Sequence, residues 1–328
     1  MKQEDFERAH GPLWSAFEAW LAQDARGARK GLAPPDALTD AAVPQRYRVL
    51  CQHLALARDR GYSADLVERL NQLALAGHRL LYGTRVEPGN RMLDFIAGGF
   101  PRAVRAEGRF VAAACALLFG PFLVLLVALG PFPDLVYYFV PPAEVAQFEE
   151  MYSPTAEHLG RTRAADSAFQ MFGHYIWNNV RIAFQTFAGG LVFGIGAVVA
   201  LVFNGIVLGA VAGHLTHTGY AMTFWSFVSG HSAFELTAIA LSGAAGLRLG
   251  AALVAPGRLS RKAALVAAAA RAGPVVYGAG GMLVLAAVIE AFWSSVTTLA
   301  PEIKWGVGIA LWMLTLAYFT FTGRGRGA

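Results

Sequence analysis

"RFVAAACALLFGPFLVLLVALG", residues 109 to 130, carries a single charge at its first position and otherwise only apolar or small residues. A run of about 20 apolar residues is what a helix needs to span the hydrocarbon core of a bilayer. Composition points the same way. The chain of 328 residues is 55% hydrophobic and 15% charged, with a mean hydropathy of +0.44. A soluble domain carries about 25% charged residues, so this chain lacks the polar surface that water demands. The reading is an all-α fold: a polytopic membrane helix bundle with an N-terminal helical cytoplasmic domain. The lipid bilayer is therefore its first partner. The net charge of +5 is dispersed and lacks interleaved aromatics, which argues against a nucleic-acid partner.

Working outward, residues 1–105 read as the soluble helical domain and 106–328 as the bundle. In "LWSAFEAWL" (13–21), Leu13, Phe17, Trp20 and Leu21 share a helix face. "RYRVLCQHLALARDRGYSADLVERLNQLALAGHRLLYG" (46–83) shows two apolar stripes broken at "RGYS", where Ser63 is placed to cap the second helix. "MKQEDFERAHGPLW" is charged where the apolar core of a signal peptide would begin, so none is expected. Cys51 and Cys115 offer neither a disulfide framework nor a metal spacing.

Beyond the first span, residues 131–177 are acidic, and an apolar stretch of about 180–216 follows that is too long for one helix. Asn204-Gly205 interrupts it, which predicts a tight hairpin there between helices of about 180–203 and 206–226. The second of these is weak enough to be re-entrant. Further helices are expected at about 229–252, 274–296 and 303–322, giving about six spans. "PGRLSRKAALVAAAARAG" (256–273) and the tail "GRGRGA" are basic. Six spans put every basic segment in the cytoplasm with both termini, and the acidic segment outside, in the cytoplasmic (inner) membrane. Gly205, Gly209 and Gly213, and Ser242, Gly246 and Gly250, recur every four residues, which lets helix backbones approach closely.

In "VSGHSAFELTAIALSGAAG" (228–246), His231 and Glu235 lie four residues apart, hence on one helix face. Their stripe continues into Ser242 and Gly246, so the pair should point into the bundle. Topology brings further polar groups to the same depth: Glu290, Asn178 and Asn179 beside His174, and His214. Intramembrane ionisable groups need a partner or a task. Three readings stay open: a structural hydrogen-bonded network, an ion or proton path, and a site for a divalent metal with Glu290 or His214 as third ligand. No H-E-x-x-H, Walker loop or Ser/His/Asp set is present.

"IWNNVRIAFQTFAGGLVFGIGAVVALVFNGIVLGAVAGHL" (176–215), "SGHSAFELTAIALSGAAGLRLG" (229–250) and "MLVLAAVIEAFWSS" (282–295) together resemble the stage II sporulation protein M family, in a long form with a soluble N-terminal extension. The resemblance implies a membrane protein that organises envelope partners at its outer face, because the founding member holds peptidoglycan-degrading enzymes outside the cytoplasmic membrane. Candidate functions are accordingly a non-enzymatic envelope scaffold, a transporter or channel with a buried His/Glu ion or metal site, and an intramembrane metalloenzyme. Envelope proteins such as peptidoglycan-degrading enzymes, and a second copy of the chain, are the candidate protein partners.

Overall fold

The computed structural model describes residues 2–25, 42–82, 88–155, 168–296 and 298–324. Among them every regular element is helical, and the chain divides into two compact units, Met1–Glu87 and Pro88–Ala328.

The first unit packs α1 (Gln3–Ala25), α2 (Val43–Asp59) and α3 (Ala64–Tyr82) around one core. Phe6, Trp14 and Phe17 from α1 meet Leu50 from α2 and Leu70 from α3, all essentially inaccessible to solvent. Phe17 and Trp20 are buried as their spacing requires, with Leu13 and Leu21 at the margin of the same core. Ser63 does cap α3, its Oγ accepting from the Leu66 amide at 3.4 Å. Arg69 grips Glu18 with two nitrogens at 3.0 and 3.1 Å, which holds its guanidinium pKa above the ordinary value.

One polar group enters this core. Trp14 Nε1 donates to Nδ1 of buried His53 at 3.1 Å, and the His10 ring lies 4.0 Å from that of His53. Burial first, then the neighbouring His10, lowers the His53 pKa below its usual 6.5. A proton on Nδ1 would displace the indole donor. Because the folded-state pKa is depressed, the unfolded chain binds more protons near pH 6.5, and stability falls as pH drops through and below that value. Hydrogen exchange of peptides from α1 and α2, corrected for intrinsic rates, should show lower protection at pH 5 than at pH 7.5. That difference should shrink in His53→Asn.

The second unit begins earlier than residue 106. After α4 (Pro88–Asp94) and a π-helical turn (Phe95–Gly99), α5 (Phe100–Ala106) buries Phe100 and Val104 among Ala238, Val275 and Ala279 of the bundle. The expected boundary at 105 therefore moves to 87, because this short basic helix carries an apolar face that the bundle covers. There follow α6 (Gly108–Ala128), the short α7 (Val136–Phe139), α8 (Pro142–Met151), α9 (Ala168–Ala188), α10 (Ile195–His217), α11 (Ala221–Val254), α12 (Arg261–Ile289) continued by a π-helical turn (Glu290–Ser294), and α13 (Pro301–Phe321).

Five of these are long and apolar enough to cross a membrane: α6, α10, α11, α12 with its π turn, and α13. Their outward faces are apolar, with Val124, Val127, Phe203, Leu285 and Leu314 exposed. The more polar α9 runs the same course. Its Phe169 and Phe172 rings pack on Phe292 at one end of the bundle, and its Thr186 and Phe187 carbonyls cover Gly246 at the other. The chain thus makes six strokes through the bundle, and the short helical segment before the first stroke meets the end of the last. There Arg105 donates to the Phe319 carbonyl and the Tyr318 hydroxyl to that of Ile96, each at 2.7 Å.

The expected hairpin at Asn204-Gly205 is absent: both residues lie inside α10. Asn204 donates its side-chain amide to the Ala200 carbonyl one turn back, at 2.8 Å, so its polarity is absorbed by its own helix. The chain reverses instead at Gly189–Gly194, where Phe193 and Gly194 adopt left-handed conformations (φ +51° and +84°). Gly205, Gly209 and Gly213 serve packing. A Cβ on Gly209 would stand 2.6 Å from the Phe122 carbonyl oxygen, one on Gly213 2.9 Å from that of Leu125, and one on Gly205 would collide with that of Leu118. The contacts climb both helices in the same direction, by four residues at a time on α10 and by four and then three on α6, so α10 and α6 run parallel, backbone against backbone. Gly205→Ala should therefore lower the unfolding temperature in detergent by several degrees, despite the higher helix propensity of alanine. Gly280→Ala, where a Cβ meets open space, should leave it unchanged or raise it.

Candidate metal centre

Helix α11 places His231 and Glu235 on consecutive turns near the end of the bundle that faces α7 and α8. Burial leaves the His231 side chain 6% and the Glu235 side chain 19% exposed, with Nε2 and Oε2 3.8 Å apart. Glu290 arrives from the other side, as the first residue of the π turn that ends α12, and is itself buried. One ligand atom from each of His231, Glu235 and Glu290 lies within 4.8 Å of the other two. Ligands held roughly 2.0–2.2 Å from a zinc-like ion in tetrahedral geometry sit about 3.3 Å apart. Closing on an ion thus needs an inward movement of about an ångström, within the reach of carboxylate rotamers.

The π turn also supplies the support. Fully buried Ser294 sits 3.0 Å from His231 Nδ1. With Nδ1–H donating to Ser294 Oγ, the Nε2 lone pair is directed toward the carboxylates, the arrangement that orients histidine ligands in metal sites. The carbonyls at the end of the π turn need donors, since the helix stops there. Lys304 supplies them. Its ammonium donates to the Ser294 carbonyl at 2.9 Å and to that of Val296, while lying 5.7 Å from the centre of the Trp293 ring. Ser229, two residues before His231 on α11, donates to the Lys304 carbonyl at 3.1 Å. α11, the π turn and α13 are thus tied together beside His231, Glu235 and Glu290.

Of the residues expected from the sequence, His231, Glu235 and Glu290 come together. His214 does not join their ligand atoms: it is buried against α8, where its Nε2 meets Glu149 Oε1 at 2.7 Å. His214 is therefore withdrawn as third ligand, because the acidic segment folds back over the end of α10. His174 is exposed on α9, with its ring 6.0 Å from Tyr175. Asn178 donates to Asn179 at 3.1 Å, and buried Asn179 faces into the bundle from α9, the helix that packs on both α11 and the π turn. Asn204 and Gly205 play no part here. Ser294 and Lys304 were not anticipated. A lysine four residues inside the last apolar helix was the available signal for the second. The first depends on a π turn that no periodicity announces.

The fold and this group define a polytopic α-helical membrane protein with a buried His–Glu–Glu cluster. The stage II sporulation protein M family matches residues 109–295, more than half of the chain and the part that contains all three side chains of the cluster. This protein belongs to that family. Residues 4–83, which coincide with the first compact unit, match a separate domain of unknown function, DUF8413. Comparisons with curated proteins and with solved structures returned no match.

Proposed function

We propose that the protein is an integral-membrane scaffold of the cell envelope, in which a divalent metal ion on His231, Glu235 and Glu290 pins α11 to the end of α12. The meeting of those three side chains from two helices, deep in an apolar bundle, carries the reading. Two carboxylates left together there without a cation would be poorly solvated and mutually repulsive, whereas a bound ion satisfies both. One imidazole with two carboxylates is a nitrogen–oxygen set suited to zinc, manganese or iron(II) rather than to thiolate-seeking ions. Family membership supports an envelope role, and the acidic segment around α8 is the surface on which envelope proteins such as peptidoglycan-degrading enzymes would be held. Three protein ligands leave a coordination position open. The same geometry therefore favours, as second reading, a site through which the cation is passed or used in catalysis.

Elemental analysis of protein purified without chelator should give about one transition-metal ion per chain. Glu235→Gln, Glu290→Gln and His231→Ala should each strip most of it while the protein stays monodisperse, and chelation should lower the unfolding temperature of the unsubstituted protein alone. Metal-free protein would overturn the reading. Metal flux into proteoliposomes that Glu235→Gln abolishes would replace the scaffold by a transporter.

The proposed setting is the cytoplasmic membrane, with the N-terminal unit and the C-terminal tail inside. Supporting this, Arg102, Arg105, Arg109, Arg258, Arg261 and Lys262 lie on segments at one end of the bundle, and Asp134, Glu144, Glu149 and Glu150 on those at the other. With Cys51 and Cys115 replaced by serine, an impermeant thiol reagent on intact cells should label Glu144→Cys. It should spare Ser63→Cys and Ala328→Cys until the membrane is opened. Labelling at one terminus alone would remove the six-crossing topology.

A further inference from the structure

A second feature lies at the opposite end of the bundle. A cleft of about 640 Å³ opens between α6, α11 and α12, lined by Arg109, Arg248 and Arg271 and otherwise by apolar residues, mostly a floor of alanines that includes Ala252 and Ala264. Each arginine comes from a different helix. Arg109 is the second residue of α6, Arg248 stands six residues before the end of α11, and Arg271 is the eleventh residue of α12. α11 and α12 are antiparallel, with Ala245, Leu249 and Ala252 packed on Ala264, Ala268 and Ala272, and this brings Arg271 level with Arg248. Arg271 thus lies roughly 15 Å along α12, at 1.5 Å per residue, rather than at its exposed tip.

The charges do not balance. No acidic side chain lines the cleft. Glu107 answers Arg248 alone, at 3.4 Å, while the Arg248 guanidinium rests over the Phe110 ring at 5.5 Å. Even so, Arg248 Nε has no hydrogen-bond partner among the described residues. Arg109 and Arg271 are exposed and have no ion-pair partner among the described residues. Cations beside hydrocarbon at this depth call for an anion, and guanidinium forks suit phosphate oxygens better than an ammonium does. The alanine floor leaves apolar room beneath the charges, as an acyl chain requires.

We propose that this cleft binds the phosphate-bearing headgroup of an anionic phospholipid, held between the guanidiniums of Arg109 and Arg271, with its acyl chains along the alanine face. The recognising chemistry is a phosphate, and the source is the surrounding bilayer, because the apolar floor would go unused by a soluble anion. Nothing in this depends on the His231 cluster at the other end.

Native mass spectrometry of the full chain, released from detergent with phosphatidylglycerol or phosphatidylcholine at equal concentration, tests it. The protein should retain phosphatidylglycerol in preference. Arg109→Gln and Arg271→Gln should each cut that preference about fivefold, as expected for roughly 1 kcal/mol per basic residue, and their combination more. Arg271→Lys keeps the charge and should keep most of the preference, which separates loss of binding from loss of fold. Arg258→Gln, a basic residue outside the cleft, should change nothing. Equal retention of the two lipids by the unsubstituted protein would overturn the proposal, as would an equal effect of Arg258→Gln. Displacement of phosphatidylglycerol by millimolar inorganic phosphate would overturn the lipid as occupant in favour of a soluble phosphate.

Discussion

A polar side chain inside hydrocarbon has no water to bond, so it must find its partner within the protein, and the bundle is arranged around that demand. Most of its hydroxyls and amides settle locally. Thr186 bonds back to the Ile182 carbonyl, Asn204 to Ala200, Thr218 to His214 and Ser226 to Met222, each one helical turn away. Such bonds cost the fold nothing in topology. The groups that cannot settle locally are concentrated where α11, the π turn and α13 meet: Trp312 donates to Ser232, Ser229 to the Lys304 carbonyl, and Lys304 to the Ser294 carbonyl, with His231 against Ser294. Elsewhere the helices are joined by small residues, as in the glycine row of α10 against α6. Polar cross-links thus gather at the ends of the bundle, with Arg105 on the Phe319 carbonyl and Tyr318 on that of Ile96 at the other end, and close backbone approach joins the helices between.

This division explains what the sequence disclosed. Apolar length marked α6 and α13 to within two residues at each end, because lipid imposes that length directly. Helices α11 and α12 begin eight and thirteen residues before the expected 229 and 274, because their first turns carry the polar and basic residues that interrupt the apolar run. The glycine spacing marked tight packing, since only a missing side chain permits it. The hairpin was misplaced because Asn-Gly is a strong turn signal in water, where the amide would otherwise compete with the backbone. Inside an apolar helix the same amide simply bonds to Ala200. The true reversal at Gly189–Gly194 lies in "AGGLVFGIG", whose glycines resemble the packing glycines around them and so carried no distinct signal.

The cluster was legible in part for a similar reason. His231 and Glu235 declare themselves by spacing on one helix, and Glu290 by being a carboxylate in an apolar run at matching depth. Depth alone does not decide which helices touch. His214 and Glu290 were equally placed on that criterion, and the packing of α8 over the end of α10 gave His214 its own carboxylate in Glu149. Ser294 required the π turn, which widens the end of α12 and sets its hydroxyl against His231. π turns of this kind recur where a helix must aim side chains that regular winding would point elsewhere.

Helix α11 links the two ends of the bundle. It runs 34 residues without proline, and most of its residues from Ala238 to Gly246 are fully buried between its neighbours. His231 and Arg248 stand on it seventeen residues apart, about 25 Å along the axis at 1.5 Å per residue. A helix packed on all sides by close backbone contacts bends little, because bending would open voids against glycine-lined neighbours that have no side chains to fill them. Closure by carboxylate rotamers alone would leave α11 in place, whereas any part of it taken up by the backbone would shift α11 as a rigid body, and Arg248 with it, along with its pairing to Glu107 at the start of α6. The strongly basic end and the carboxylate-lined end share this one helix. They are two loads on one stiff element, and the packing that makes α11 stiff is what would carry a displacement from one to the other.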